Sequence, residues 1–284
     1  MSSHAKETPS AWCRSEYDPL RLVLLCPPKY MEIKEIINDV QKRYQQENID
    51  VATAMLQHRQ FVAALQKNGV ETVMLEPSDH FPEQVFTRDI GFTIEDTVFI
   101  GDMAASIRQG EEEELQKWLA KRQIRFQSLG SHRVEGGDVL IDQDTIFVGI
   151  SSRTSEKTIQ ELEQKLPSFQ VIPVHFDERY LHLDCVFNIL SPTEALIFPE
   201  ALSSETVSML AERYTLIPVN REEQFALGTN VLSIGSRRVF SQPQNREVNA
   251  QLRQHGFHVI ENDFSEIIKS GGAFRCCTMP VIRK

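Results

Sequence analysis

Two adjacent thiols, Cys276 and Cys277, follow a glycine pair in the run Gly271-Gly272-Ala273-Phe274-Arg275-Cys276-Cys277-Thr278, near the end of a 284-residue chain. A cysteine thiolate is a strong nucleophile near neutral pH, and glycines let backbone approach a ligand closely. The alternation of Phe274, Cys276 and Thr278, continued by Pro280-Val281-Ile282, predicts a short strand that presents alternate side chains to one pocket. One cysteine then faces the site and the other the packing; Cys276 is read as the nucleophile. Free cysteines are also common core filler, so the decision rests on residues upstream.

Three polar clusters supply what a thiol needs. They are Phe86-Thr87-Arg88-Asp89, Glu135-Gly136-Gly137-Asp138, and His182-Leu183-Asp184. Each has an ordinary reading as a surface ion pair, a turn, or a satisfied strand histidine. Together with the terminal thiol they make a nucleophile, a base and several carboxylates, the kit for covalent acyl or amidino transfer.

The elements that must position these groups repeat. Arg21 to Leu25 reads as a buried strand stopped by Cys26-Pro27-Pro28, followed by a helical region ending at Asn68-Gly69 and a strand over Val70 to Leu75. The same order recurs with Thr97 to Ile100, a helix over Glu111 to Arg122, and Ile124 to Leu129. A third copy runs from Thr145 to Val174. A fourth runs from Ala195 through a helix capped near Ser203 to Val219, and a fifth from Arg238 to Ile260. Because no unit can cover its own apolar faces, five such units predict an α/β fold with ββαβ units around a pseudo-fivefold axis, in one domain over 1–284 with a loose leader over 1–14. A doubly wound sheet shares the alternation, but no Gly-x-Gly-x-x-Gly follows the first strand.

Composition narrows the partners. A formal charge of -10 disfavours nucleic acid and suits a small cationic substrate. No apolar run approaches the roughly 18 residues a membrane span needs. Five cysteines without framework spacing predict reduced thiols in a cytoplasmic setting. The oligomeric state is open, a homo-oligomer included.

Taken in order, Phe-Thr-Arg-Asp at 86–89, Glu-Gly-Gly-Asp at 135–138, His-Leu-Asp at 182–184 and Gly-Gly-x-x-x-Cys-x-Thr at 271–278 resemble the guanidine-modifying enzymes of the pentein fold. These include dimethylarginine dimethylaminohydrolases, arginine deiminases and glycine amidinotransferases. The resemblance implies a five-bladed propeller, no cofactor, and a small guanidino substrate. It makes Cys276 the nucleophile, His182 the general acid and base, Glu135 the carboxylate that holds a substrate nitrogen, and Asp89 and Asp184 the guanidinium clamps. Arg108 and Arg153 stand where family members grip an α-carboxylate.

The chain lacks the length of the deiminases' added helical domain, and Ile90 replaces the proline they carry after the aspartate, so dimethylarginine hydrolysis leads. Phe-Thr-Arg-Asp looks more like the deiminase or transferase form, which keeps those activities as alternatives. Two further classes remain. One is a metal hydrolase ligated by Cys276, Cys277, His182 and Glu135, against which stands the absence of Cys-x-x-Cys or His-Glu-x-x-His spacing. The other is a non-catalytic binding module of the same fold.

Overall fold

The computed structural model describes residues 10–130 and 133–284. Strand β1 (Leu20–Leu25) leads through helices α1 (Asp39–Tyr44) and α2 (Val51–Lys67) to β2 (Glu71–Met74). The second unit is β3 (Gly91–Ile94), β4 (Thr97–Ile100), α3 (Glu112–Lys121) and β5 (Phe126–Ser128). The third is β6 (Val139–Asp142), β7 (Thr145–Ile150), α4 (Lys157–Lys165) and β8 (Gln170–His175). The fourth comprises β9 (Phe187–Ile189), β10 (Glu194–Ile197), α5 (Ser204–Ala211) and β11 (Thr215–Pro218). After α6 (Arg221–Phe225), the fifth comprises β12 (Leu232–Ser233), β13 (Arg238–Ser241), α7 (Arg246–Gln254) and β14 (His258–Glu261). Strand β15 (Met279–Arg283) then returns to β1.

Five three-stranded sheets result, and each has the same plan. In the second to fifth units a hairpin pairs the first two strands antiparallel, and a helical crossover brings the third in parallel to the middle one. The first sheet is completed by the far end of the chain, β15 lying antiparallel to β1 and β2 parallel to it. Such repetition is what a five-bladed α/β propeller requires, because a helical crossover covers one side of each sheet and leaves the other for its neighbours. The unit boundaries match the expected periods, and Ser203 caps α5 by accepting from the Thr206 N–H.

Two expectations change. Residues 11–14 are not a loose leader: Ala11 and Cys13 are buried, Trp12 donates its N–H to Val281 O, and Cys13 bridges to Glu95. Residues 1–9 of that leader lie outside the described residues. The run from Phe274 to Thr278 is a tight turn and not a strand, with Cys277 N donating to Ala273 O at 2.9 Å and Thr278 N to Arg275 O at 3.1 Å. Its alternation misleads because the whole segment is buried, so no polar side marks a pleat.

The largest apolar cluster draws on residues from Leu20 to Cys277 and includes the aromatic group that anchors this turn. Phe61 of α2 sits edge-on to Phe240 and Phe264, with ring centroids at 5.1 and 5.0 Å, and tilted against Phe274 at 5.3 Å. Phe274 stacks on Phe264 at 4.5 Å, two residues before the thiol. Among the described residues no helix is long and apolar enough to cross a membrane. Phe61→Ala should cost about 3–5 kcal/mol in urea unfolding, because it empties the centre of this group; a loss below about 1 kcal/mol contradicts the packing.

Candidate active site

In all five units the residues with chemistry stand just before the sheet's first strand. Asp89 precedes β3, Glu135 and Asp138 precede β6, His182 and Asp184 precede β9, Asn230 precedes β12, and Cys276 precedes β15. Equivalent positions in a pseudo-symmetric array converge, so residues 188 apart in sequence become neighbours: Arg88 N donates to Cys276 O at 2.9 Å.

His182 is fully buried, and its Nε2 lies 2.6 Å from Glu135 Oε2. Glu135 is itself held, its Oε1 accepting from the Ala104 N–H at 2.8 Å and its Oε2 lying 3.5 Å from Arg153 Nη1. The other ring nitrogen, Nδ1, lies 3.6 Å from Asp89 Oδ1, and neither atom has a hydrogen-bond partner among the described residues. Gly137 makes room for the ring, since a Cβ there would fall 2.7 Å from His182 Cγ and Nδ1. Burial alone would lower the imidazole pKa, but Asp89, the Glu135 hydrogen bond and Asp138 together raise it to about 10. The reciprocal effect overrides Glu135's burial and takes its carboxyl down to about 2. His182 is therefore an imidazolium at neutral pH.

Each of the two aspartates expected to clamp a guanidinium is tethered at one oxygen by an arginine. Asp89 Oδ2 accepts from Arg108 Nη1 at 2.7 Å, and Asp184 Oδ2 accepts from Arg275 Nη1. The remaining oxygens face inward. Asp89 Oδ1 faces His182, and Asp184 Oδ1 lies 3.6 Å from Cys185 Sγ and 3.8 Å from Cys276 Sγ. A neighbouring Cys185 thiol, burial and the Asp184 carboxylate push the Cys276 thiol well above its ordinary range.

Arg108 does not present a free guanidinium to a substrate carboxylate. Its Nε and Nη2 engage Glu111, Nη2 also donates to Phe86 O, and the side chain is buried. Two carboxylates already satisfy it. Arg153 is partly exposed; it donates to Ile37 O at 3.0 Å and lines an open cavity of about 630 Å³ with Ile37, Asn38 and Leu181. A second cavity of about 190 Å³ shares Asn38 and Leu181 with it and reaches Cys185 and Gly271. Gly271 has φ +95°, and a Cβ there would lie 2.7 Å from the Asn38 amide, which binds Ser270 O.

Asp89, Glu135 and His182 each offer an atom within 4.8 Å of the others, a spacing a metal ion could use. Cys276 and Cys277, which the metal reading required, fall outside that group. The short Nε2 to Oε2 contact also needs the proton that a metal would displace.

The sequence reading did not single out two residues. Asp138 accepts from the Leu183 N–H at 2.9 Å and so sets the His182 segment; it stood inside a motif already noticed. Asn230, in Gly228-Thr229-Asn230, touches Cys276 Sγ at 3.1 Å, and its only signal is its place before β12.

Comparisons with known proteins place the chain in a family. Residues 27–283 match the family described as N,N dimethylarginine dimethylhydrolase, eukaryotic. Over 271 residues, 95% of each chain, the protein is 51% identical to the uncharacterized protein YkgA of Bacillus subtilis. It is 25% identical to the N(G),N(G)-dimethylarginine dimethylaminohydrolase of Mycobacterium tuberculosis over 284 residues, covering 99% of this chain and 89% of that one. The fold resembles the N-terminal domain of ArgZ, a cyanobacterial arginine dihydrolase solved with product, with TM-score 0.85 and 23% identity over 94% of this chain and 98% of that one.

The ion pair gives a pH expectation with a definite sign. His182's folded pKa is raised from its ordinary 6.5, so its stabilising contribution is complete below 6.5 and is lost as pH rises through about 10. Glu135's is lowered from 4.5, so its contribution is present above 4.5 and is lost as pH falls through about 2. In Glu135→Gln the imidazole, followed by NMR, should titrate at least about one pH unit lower than in the wild type. An unchanged titration contradicts the pair.

Proposed function

The chain belongs to the N,N dimethylarginine dimethylhydrolase family, and on that premise we propose that it hydrolyses the guanidino carbon–nitrogen bond of arginine or an N-methylated arginine, giving a ureido product and an amine. One observation carries the reading. His182 has Nε2 committed to Glu135 and Nδ1 directed at Asp89, while the Cys276 thiol lies 3.7 Å from Asp184. The proposed acid is thus set against Glu135 and Asp89, and the proposed nucleophile against Asp184.

A guanidinium is a planar fork of donors, so the inward oxygens of Asp89 and Asp184 can take its edge and leave the central carbon open above the plane. The arriving cation offsets the carboxylates that hold the Cys276 thiol up, which lowers the thiol pKa where the substrate is bound. The thiol's proton passes to solvent as the cation binds; Sγ then bonds to the guanidino carbon, the carbon–nitrogen bond to the amine breaks, and the His182 imidazolium gives that amine its proton. Water then adds to the thiouronium carbon, His182 takes one of its protons, and the carbon–sulfur bond breaks as the adduct's hydroxyl proton passes to the departing sulfur, releasing the ureido product and the Cys276 thiol. Arg153, partly exposed beside the open cavity, is the proposed grip on the α-carboxylate. Arg108 is assigned to holding Asp89.

Hydrolysis is preferred to amidino transfer because nothing in the site marks an amine acceptor. Release of ammonia from arginine itself stands as the alternative, carried by the Phe86-Thr87-Arg88-Asp89 loop.

Incubation with arginine, monomethylarginine and dimethylarginine side by side should yield ureido product from at least one. No product from any of the three leaves the non-catalytic binding module. Cys276→Ser should remove turnover, His182→Ala should lower kcat by about 10²–10⁴-fold, and Cys277→Ser should keep most of it. Asp89→Asn and Asp184→Asn should weaken substrate binding by about 2–5 kcal/mol; turnover retained in Cys276→Ser contradicts the mechanism.

A further inference from the structure

Four of the five converging loops carry groups the mechanism uses. The fifth, before β12, holds Asn230, and it is fully buried. A carboxamide has two donor hydrogens and two acceptor lone pairs, and all four are engaged here. Oδ1 accepts from the backbone N–H of Ala273 at 3.2 Å and of Cys276 at 3.1 Å; Nδ2 donates to Asp184 O at 3.4 Å and points at Cys276 Sγ at 3.1 Å.

That arrangement fixes the amide's orientation. Backbone N–H groups only donate, so the atom facing them must be the oxygen, and the atom facing the sulfur must be the NH₂. An NH₂ cannot accept the thiol's proton; it can only donate to sulfur, and it donates more strongly to a thiolate than to a thiol. Among the described residues Asn230 supplies the one side-chain N–H donor to Cys276 Sγ. Its neighbours act in the opposite sense, with Asp184 and Cys185 opposing ionisation.

We propose that Asn230 is a catalytic residue of this site: it stabilises the Cys276 thiolate through its Nδ2–H while its Oδ1 holds the turn that aims the sulfur. The proposal rests on Cys276 being the nucleophile. It assigns the fifth unit a role equal in kind to those of the other four.

The test is the pH dependence of Cys276 alkylation by iodoacetamide, read by mass spectrometry of the Cys276 peptide, with Cys276→Ser identifying the labelled site. Asn230→Asp keeps the acceptor for both backbone N–H groups and replaces the donor with an anion. The midpoint of Cys276 alkylation should rise by at least about one pH unit, and kcat at neutral pH should fall by about 10-fold or more, with KM changing less than kcat. Asn230→Ala, which loses donor and acceptor together, should show the raised midpoint and also a lower thermal midpoint. A wild-type alkylation profile in both variants overturns the proposal and leaves Asn230 a structural brace. If Asn230→Asp fails to fold, Asn230→Ala alone decides by the same profile. Alkylation needs no substrate, so this result stands apart from the turnover assay: activity retained in Cys276→Ser would sink the nucleophile, whereas an unshifted midpoint would sink only Asn230.

Discussion

The hydrogen bond between His182 Nε2 and Glu135 Oε2 fixes everything around it. Both groups are buried, and an isolated charge in such surroundings costs far more than a fold's net stability, so each is tolerable only because the other is there. With Nε2 committed, the ring has one nitrogen left, and its direction is set by Asp138 beneath the Leu183 N–H and by the space that Gly137 leaves. Which ring nitrogen is left uncommitted is thus settled by packing. Pre-placed donors need no reorganisation during reaction, which is the usual origin of a large catalytic term.

The same constraint explains the arginines. Asp89 and Asp184 are each buried, and each is tethered at one oxygen, to Arg108 and Arg275. A guanidinium partner steers its carboxylate and lessens its unpaired charge; the second oxygen of Asp89 has no hydrogen-bond partner among the described residues, and that of Asp184 faces the Cys185 and Cys276 thiols. Arg108 is in turn closed by Glu111, and Arg275 by Glu16, whose Oε1 lies 3.2 Å from Arg275 Nη2. Charge compensation therefore runs outward in layers. This is why the resemblance, which gave Arg108 a substrate's carboxylate, meets a side chain already spent within the protein.

Much of the architecture was legible because each unit repeats a strand, a helix and a strand, and because buried parallel strands read as unbroken apolar runs such as Thr145–Ile150. The hairpin partners were not. β12 has only Leu232 and Ser233, and the β3–β4 and β6–β7 connections place Glu95 and Gln143 at positive φ without an Asn-Gly cue. In the site, residues of distinctive chemistry announced themselves: a thiol after two glycines, a histidine beside an aspartate. Asn230 did not, since an asparagine after glycine and threonine reads as an ordinary turn. Its partners are the Cys276 turn, 46 residues on, and such a contact exists only once the fifth loop joins the others.

In the proposed mechanism, resting and reactive states differ chiefly in charge. Without a cation, the centre holds Asp89 and Asp184 near a buried thiol, and ionising that thiol would add a third negative group to a space with little water; the thiol accordingly stays protonated. On that proposal a guanidinium between the aspartates reverses the balance, and the His182 imidazolium serves the leaving amine. Activation is in this way tied to occupancy. On the same proposal a neutral molecule of similar shape would not lower the thiol's pKa, so selectivity for cations would arise in the chemical step as well as in binding. The net charge of -10 acts earlier, drawing cations toward the molecule. Within the centre itself, on this proposal, the paired and half-paired carboxylates decide which ligand turns Cys276 into a nucleophile.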